Sequence, residues 1–118
     1  MNIQAFSAQT GLSAYTLRYY EKIGLLPGIQ RNASGHRAFT GRDLEWVNFI
    51  VRLKETGMPL DNILEYARLR AAGDSTLKKR QRILEAHRDA LQLRIKSEQL
   101  HLRALDSKIE HYRSIKAP

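Results

Sequence analysis

The chain has 118 residues, which leaves room for one small domain and an extension, because single domains usually have about 100 to 150 residues. Its 20 Lys and Arg outnumber its 12 Asp and Glu, which gives a formal charge of +8. This charge favours binding to a polyanion such as nucleic acid. The alternative is a basic protein that has no such partner. The absence of cysteine excludes disulfides, thiolate metal sites and a thiol redox switch. The sequence also contains neither a secretory signal nor a run of ~20 apolar residues, which predicts a cytoplasmic protein.

Two short helices are predicted at the amino terminus. Apolar residues at helical spacing favour the first helix over residues 3 to 9, and Gly11 ends it in a helix-terminating position. Ser13 is a suitable N-cap for the second helix, residues 14 to 23, because its hydroxyl can accept a hydrogen bond from a free backbone N–H of the first turn. Gly24 closes this helix, and a proline three residues later prevents its continuation. Two short helices separated by a glycine-containing turn form a candidate helix-turn-helix.

A hairpin and a third helix are predicted next. Residues 28 to 39 contain the turn cluster Asn-Ala-Ser-Gly between short segments that can pair, which predicts a wing rather than a core sheet. Thr40 and Asp43 resemble a capping box, with Asp in place of the usual Glu or Gln, at the start of a helix that stops at Gly57. Within this helix Trp46 is expected to pack in the core, as large aromatic side chains generally do.

Two further helices are predicted in the rest of the chain. The first begins after Pro59 and repeats its apolar positions at intervals of three and four residues until Gly73. Asp74 or Ser75 is then predicted to cap a much longer helix, because residues 76 to 115 contain no Gly or Pro. At 1.5 Å per residue this helix is about 60 Å long, which a domain of this size cannot bury.

The long helix carries two apolar rows at the spacing of a coiled-coil seam. The first row consists of Leu84, Leu91, Ile95, Leu102, Leu105, Ile109 and Tyr112. The second row runs from Ile83 to Ala104 and includes Leu93 and Leu100. Two rows imply contacts with more than one element, and we expect the same helix of a second chain to cover the first row. The alternative is a hairpin within one chain, which is disfavoured because no turn signal interrupts the segment.

One face of the second helix suits a DNA groove. By helical spacing, the residues on this face are Tyr15, Arg18, Tyr19 and Lys22. Arginine offers a planar fork to guanine edges or phosphates, tyrosine hydroxyls reach phosphate oxygens, and lysine adds a point charge. Leu17 and a partly buried Tyr20 lie towards the other side of the helix. The alternative is that the tyrosines only pack and the arginine is only solvated. Further donors on the wing and the next helix favour DNA binding, and these are His36, Arg37, Arg42 and Lys54.

Three sequence motifs resemble, in order, those of the DNA-binding domain of MerR-family transcriptional regulators. They are LRYYEKIGLLP, SGHRAF and DLEWVNFIVRLKETGMPL, and the resemblance extends over nearly the whole chain. It implies a mainly α fold, with a winged helix-turn-helix DNA-binding domain over residues 1–73. A long dimerisation helix over residues 74–118 would follow and form an antiparallel coiled coil.

The resemblance also implies a mechanism and a set of contacts. Similar proteins bind pseudo-palindromic promoter operators as homodimers, and they bend and untwist the DNA so that RNA polymerase can use poorly aligned promoter elements. The implied recognition-helix contacts are Ser13, Thr16, Arg18, Tyr19 and Tyr20. His36 and Arg37 match the wing pair, and Lys54 matches a phosphate contact. His36 and Phe39 replace the two tyrosines usual in the wing, so His36 can still donate a hydrogen bond whereas Phe39 can only pack.

Other functional classes receive less support from the residues. The segment from TGMPL to EAHR resembles the aldehyde- or thiol-stress branch of the family, but the single cysteine of that branch is absent. His87 and His101 lie about 21 Å apart along a helix, so no metal site or cofactor is predicted, and an ion shared across a dimer is the less favoured alternative. No nucleophile with a base, carboxylate pair or phosphate-binding glycine loop is present, so we do not expect an enzyme. The remaining alternative is an architectural or excisionase-like protein that bends DNA without an effector.

Overall fold

The computed structural model describes residues 1–115, which divide into two compact units, Met1–Ile83 and the segment from Leu84 onward. The described residues are mainly helical. In chain order the elements are α1 (Ile3–Thr10), α2 (Ala14–Ile23), β1 (Gln30–Arg31), β2 (Arg37–Ala38), α3 (Gly41–Glu55), α4 (Leu60–Ala72), a 3-10 helix (Asp74–Thr76) and α5 (Leu77–Ser114). The predicted order of a helix-turn-helix, a wing and a long helix is therefore confirmed.

The helix-turn-helix is defined by backbone signals at the ends of its helices. Gly11 has φ 75°, a left-handed conformation that glycine adopts without steric cost, and it ends α1. Ser13 caps α2, because its side chain accepts a hydrogen bond from the Thr16 N–H. Gly24, with φ 94°, ends α2 as predicted. The chain then turns directly into the core, where Leu25 and the residue after it are buried.

The core of the first unit lies between these helices, the wing, α3 and α4. Phe6 and Phe39 stack with their ring centres 4.2 Å apart, which confirms that Phe39 packs. Trp46 is also buried as predicted, and its indole N–H donates to the Leu25 carbonyl at 2.7 Å. The buried apolar residues are Phe6, Leu17, Tyr20, Leu25, Leu26, Phe39, Trp46, Val47, Ile50, Leu53, Met58, Ile63 and Ala67.

The wing is a short antiparallel hairpin that leads into α3. Its strands pair Gln30 with Ala38 and Arg31 with Arg37. After the hairpin, the predicted capping box is present: the Thr40 N–H donates to the Asp43 carboxylate at 2.9 Å, and the Asp43 N–H donates to the Thr40 hydroxyl at 3.3 Å. These reciprocal bonds set the start of α3.

The start of the long helix differs from the prediction. Asp74 and Ser75 lie inside the 3-10 helix and do not cap α5, which begins at Leu77. The reason is the tight turn at Gly73, which has φ 95° and is held by the Thr76 hydroxyl approaching the carbonyls of Leu69 and Gly73 at 2.6 and 2.7 Å. None of the helices within residues 1–115 combines the length and hydrophobicity of a membrane span.

Candidate nucleic-acid interface

The outer face of α2 carries the side chains that the sequence assigns to DNA. Tyr15 is 79% exposed and Tyr19 is 45% exposed, and Arg18 and Lys22 are also exposed. Neither Arg18 nor Lys22 forms an ion pair within the described residues. Leu17, on the opposite face, is buried in the core. The packing of α2 therefore leaves two cations and two phenol rings together on an open surface.

The hydroxyls at the start of α2 are already engaged in capping. Besides accepting from the Thr16 N–H, the Ser13 hydroxyl donates to the Thr16 hydroxyl at 3.0 Å. Ser13 is exposed, whereas Thr16 is half-buried. Both residues hold the first turn of the helix in place, and a DNA contact from either of them stays a prediction.

Tyr20 has a supporting position instead of an exposed one. It is 3% exposed, and its hydroxyl accepts a hydrogen bond from the Lys54 ammonium at 2.8 Å. The same ammonium lies 5.2 Å from the centre of the Tyr20 ring. The ring of Tyr20 is therefore enclosed by the core and is not part of the open face of α2, and a direct DNA contact from Tyr20 stays a prediction. Its hydroxyl contacts Lys54, which is exposed at the end of α3.

Replacing Lys54 with alanine is expected to weaken binding to specific and random DNA alike. A lysine on a phosphate releases about one counterion, so the slope of log affinity against log salt should become shallower by about one. Fluorescence anisotropy on both DNAs across a salt series measures this slope. Lys96→Ala, which removes an exposed lysine of α5, is the matched control. An unchanged slope in Lys54→Ala would remove Lys54 from the phosphate contacts.

The wing presents a tight turn whose backbone is held by Asn32. Its side-chain oxygen accepts from the N–H groups of Ser34 and His36, both at 3.0 Å, and its own N–H donates to the His36 carbonyl at 2.8 Å. His36 is exposed beside this turn, whereas Arg37 is half-buried in the second strand. The two predicted wing contacts thus differ in accessibility.

Glu21 joins the wing to α2, a role that helical spacing and capping patterns do not reveal. One oxygen of the Glu21 carboxylate accepts from Arg37 Nε at 2.9 Å and lies 3.4 Å from Arg31 Nη2. The Glu21 and Arg37 side chains are each 23% exposed, so this pair is partly shielded from solvent. Glu21 is the single acid of α2, and this was the only signal available in the sequence. Glu21 sets the position of the wing relative to the exposed face of α2.

A double-mutant cycle of Glu21→Ala and Arg37→Ala is expected to give a coupling energy of about 1 kcal/mol in the free energy of unfolding. This is the upper end of the range for a surface ion pair, because the pair is partly shielded. Urea unfolding of the four proteins measures it. The cycle of Glu21→Ala with Arg103→Ala, an exposed arginine of α5, should give no coupling. Zero coupling in the first cycle would mean that Glu21 does not hold the wing.

The remaining predicted DNA contact, Arg42, lies apart from Lys54. Arg42 is exposed in the first turn of α3, whereas Lys54 is near the end of the same helix. Twelve residues of helix separate them by about 18 Å. The structure therefore does not bring Arg42 and Lys54 into one cluster.

The first apolar row of α5 is open to solvent along most of its length. No residue of α5 is buried. Leu84 and Leu91 are half-buried, and the rest of the row is exposed: Ile95, Leu102, Leu105, Ile109 and Tyr112. An exposed apolar row of this length is unusual for a monomeric helix, because coiled-coil seams are normally covered by a partner.

Comparison with known proteins identifies the family to which the chain belongs. The family model described as MerR HTH family regulatory protein matches residues 1–70, and the model described as MerR, DNA binding matches residues 44–108. A HTH-type transcriptional regulator of Haemophilus influenzae is 38% identical over 91% of this chain and 79% of its own length. The chain belongs to the MerR family of transcriptional regulators. The resemblance of its three motifs is thereby confirmed.

Two solved structures of MerR-family regulators have the same fold. A regulator from Listeria monocytogenes superposes with a TM-score of 0.91 and 39% identity, over 97% of this chain and 86% of the other. HiNmlR, a regulator that lacks the sensor domain and was solved bound to promoter DNA, superposes with a TM-score of 0.85 and 35% identity, over 95% and 89%. The winged helix-turn-helix and the long helix of this MerR-family chain are therefore those of the family.

Proposed function

We propose that this chain binds promoter DNA as a homodimer and controls transcription by distorting the operator. The observation that carries the proposal is the open face of α2, where Arg18 and Lys22 have no ion-pair partner within residues 1–115 and Tyr15 and Tyr19 are exposed beside them. The DNA-bound state of HiNmlR supports the same partner for this chain.

In the proposed complex, each α2 enters the major groove. Arg18 reads a base edge through its guanidinium fork, and the Tyr15 and Tyr19 hydroxyls contact phosphates. The wing, held to α2 by Glu21, follows the adjacent backbone with His36 at its tip. Lys54 adds a phosphate contact at the end of α3. Sequence is thus read by a few side chains, while the others set the register of the protein on the duplex.

The dimer is formed by α5. An antiparallel coiled coil would bury the first apolar row of each α5 against the same row of its partner and would present two copies of α2 related by a two-fold axis. Such a dimer fits a pseudo-palindromic operator. Bending DNA costs several kcal/mol and depends on its sequence, so the dimer can control how RNA polymerase engages a promoter. In this proposal the chain acts in the cytoplasm and catalyses no reaction.

Selection of binding sites from random duplex DNA at physiological salt tests the proposal. The expected result is enrichment of one pseudo-palindrome by the purified dimer. Tight binding without enrichment would contradict sequence-specific regulation and favour the architectural alternative. That result would mean that the α2 face contacts the backbone without reading bases. Absence of tight binding to any duplex would contradict both functions.

A further inference from the structure

A second basic surface of the first unit is a cleft of about 350 Å³. It is formed by α3, α4 and the first turn of α5, and no residue of α2 or of the wing lines it. The lining residues are Arg42, Glu45, Trp46, Phe49, Tyr66, Arg70 and Arg80. The volume lies at the lower end of the range for small-molecule sites, roughly 300 to 1,000 Å³.

Aromatic rings form one wall of the cleft. The rings of Trp46 and Tyr66 stack with their centres 5.8 Å apart and their planes within 15°. Phe49 lies beside both rings, and its ring centre is 5.7 Å from that of Tyr66 and 6.3 Å from that of Trp46. Phe49 and Tyr66 are half-buried, so part of each ring faces the cleft. The hydrogen bond from Trp46 to the Leu25 carbonyl fixes this wall in place.

Three guanidinium groups surround the aromatic wall. The Arg70 guanidinium lies 4.4 Å from the centre of the Trp46 ring. Arg80 is anchored by bonds from Nε to the Thr76 hydroxyl at 3.0 Å and from Nη2 to the Gly73 carbonyl at 3.3 Å. This leaves its Nη1 hydrogens free to bind another acceptor. Arg42 is exposed at the rim.

The charge of the cleft is not balanced by the protein. Three arginines and one glutamate line it, a formal charge of 3 − 1 = +2. Within residues 1–115, no carboxylate lies within ion-pair distance of Arg42, Arg70 or Arg80. A bound anion would therefore gain charge-assisted hydrogen bonds without displacing an internal salt bridge.

We propose that this cleft binds a small planar aromatic carboxylate. The carboxylate accepts from the guanidinium groups of Arg70 and Arg80, and the ring of the ligand packs against Phe49 and Tyr66. A DNA phosphate would use the positive charge of the cleft but leave its aromatic wall unused. Arg42 is also a predicted DNA contact, but the other lining residues lie outside the proposed DNA-reading face, so the proposal does not depend on how α2 reads DNA. A ligand here would contact α3, α4 and the start of α5 together.

Titration of the full chain with benzoate tests the proposal. Trp46 is the single tryptophan of the chain and lines the cleft, so its fluorescence reports occupancy directly, and calorimetry gives an independent dissociation constant. We expect a saturable change with benzoate. Benzylamine, which has a similar ring with the opposite charge, and cyclohexanecarboxylate, which has the charge without an aromatic ring, should each bind at least about tenfold more weakly.

Variants then assign the binding to the cleft. Arg70→Gln should raise the dissociation constant for benzoate by about tenfold or more, the loss expected for one charge-assisted hydrogen bond. Arg68→Gln removes an exposed arginine of the same helix that does not line the cleft, and it should change the constant by less than about twofold. Arg80→Gln, which removes the other proposed guanidinium contact, serves as the second variant if circular dichroism shows that Arg70→Gln does not fold, and the same loss of benzoate binding is expected.

Four outcomes would overturn the proposal. The first is the absence of a saturable response to benzoate, and the second is an equal loss of binding in Arg68→Gln. The third is Trp46 fluorescence that changes with protein concentration but not with added benzoate. That result would mean that a second copy of the chain covers the cleft. The fourth is a combination of results: the unsubstituted chain does not bind benzoate, and Arg70→Gln binds DNA more weakly, with a shallower dependence of affinity on salt. That combination would assign the cleft to DNA phosphates.

Discussion

Replacing Leu91 and Leu102 with glutamate is expected to yield monomers whose operator affinity is lower by about 10²- to 10⁴-fold. Both residues belong to the first apolar row of α5, where Leu102 is 57% exposed and Leu91 half-buried. Four carboxylates would lie in the seam of the proposed dimer, and burying them without partners is unfavourable. The affinity falls because two linked modules bind two half-sites far more tightly than one module binds one. Sedimentation velocity and anisotropy measure the two effects.

The matched control for the dimer prediction places the same charges elsewhere on α5. Gln92→Glu with Ser107→Glu adds two carboxylates at exposed positions of α5 that do not belong to the first row. This protein should remain a dimer with nearly unchanged operator affinity. An intact dimer in the Leu91 and Leu102 variant would contradict the assignment of the row to self-association. Monomers in both variants would mean that added negative charge alone dissociates the protein.

Replacing Arg18 with alanine is expected to weaken operator binding by about 1 to 3 kcal/mol, or about 5- to 150-fold, with a smaller loss on random DNA. Arg18 is exposed on α2 without an ion pair in the described residues, and the Ser13 cap fixes the helix that carries it. Its guanidinium fork can therefore be directed at a base edge, where removal leaves a polar group of the base unpaired. Competition between the selected operator and random duplex at fixed salt measures the ratio of affinities.

Two further variants separate base reading from charge. Arg18→Lys keeps the charge but loses the planar fork, so operator discrimination should fall as in the alanine variant while the salt slope is retained. Arg82→Ala removes an exposed arginine of α5 and should leave the ratio of affinities unchanged. Equal losses on operator and random DNA in Arg18→Ala would contradict base reading and would reduce Arg18 to a phosphate contact.

Most of the helix boundaries could be predicted because their causes are local. The Ser13 cap, the left-handed Gly24 and the capping box of Thr40 and Asp43 each depend on residues within one helical turn. The start of α5 was predicted wrongly, because the 3-10 helix after Gly73 depends on the Thr76 hydroxyl reaching back to Leu69. That bond joins residues seven positions apart, and propensity and capping rules do not describe it.

The candidate site was predicted in part, for a similar reason. Helical spacing alone distinguishes the exposed face of α2 from the face that carries the buried Leu17. It does not show that the Tyr20 ring is enclosed or that its hydroxyl meets Lys54, which lies 34 residues away. Nor does it show that Glu21 reaches Arg37, 16 residues away. These contacts form only when α2, the wing and α3 pack together.

The amino-acid order was sufficient for the helix-turn-helix, the exposed side chains of α2 and the apolar row of α5, because each is a periodic or capping pattern within one element. The convergence of separate elements required the packed fold. Packing places the Tyr20 hydroxyl against Lys54 and brings Glu21 to Arg37 of the wing. The packed fold also places arginines of α3, α4 and α5 next to the aromatic wall of the cleft. Contacts between residues distant in sequence depend on the direction in which each helix leaves its turn, and only the assembled core sets that direction.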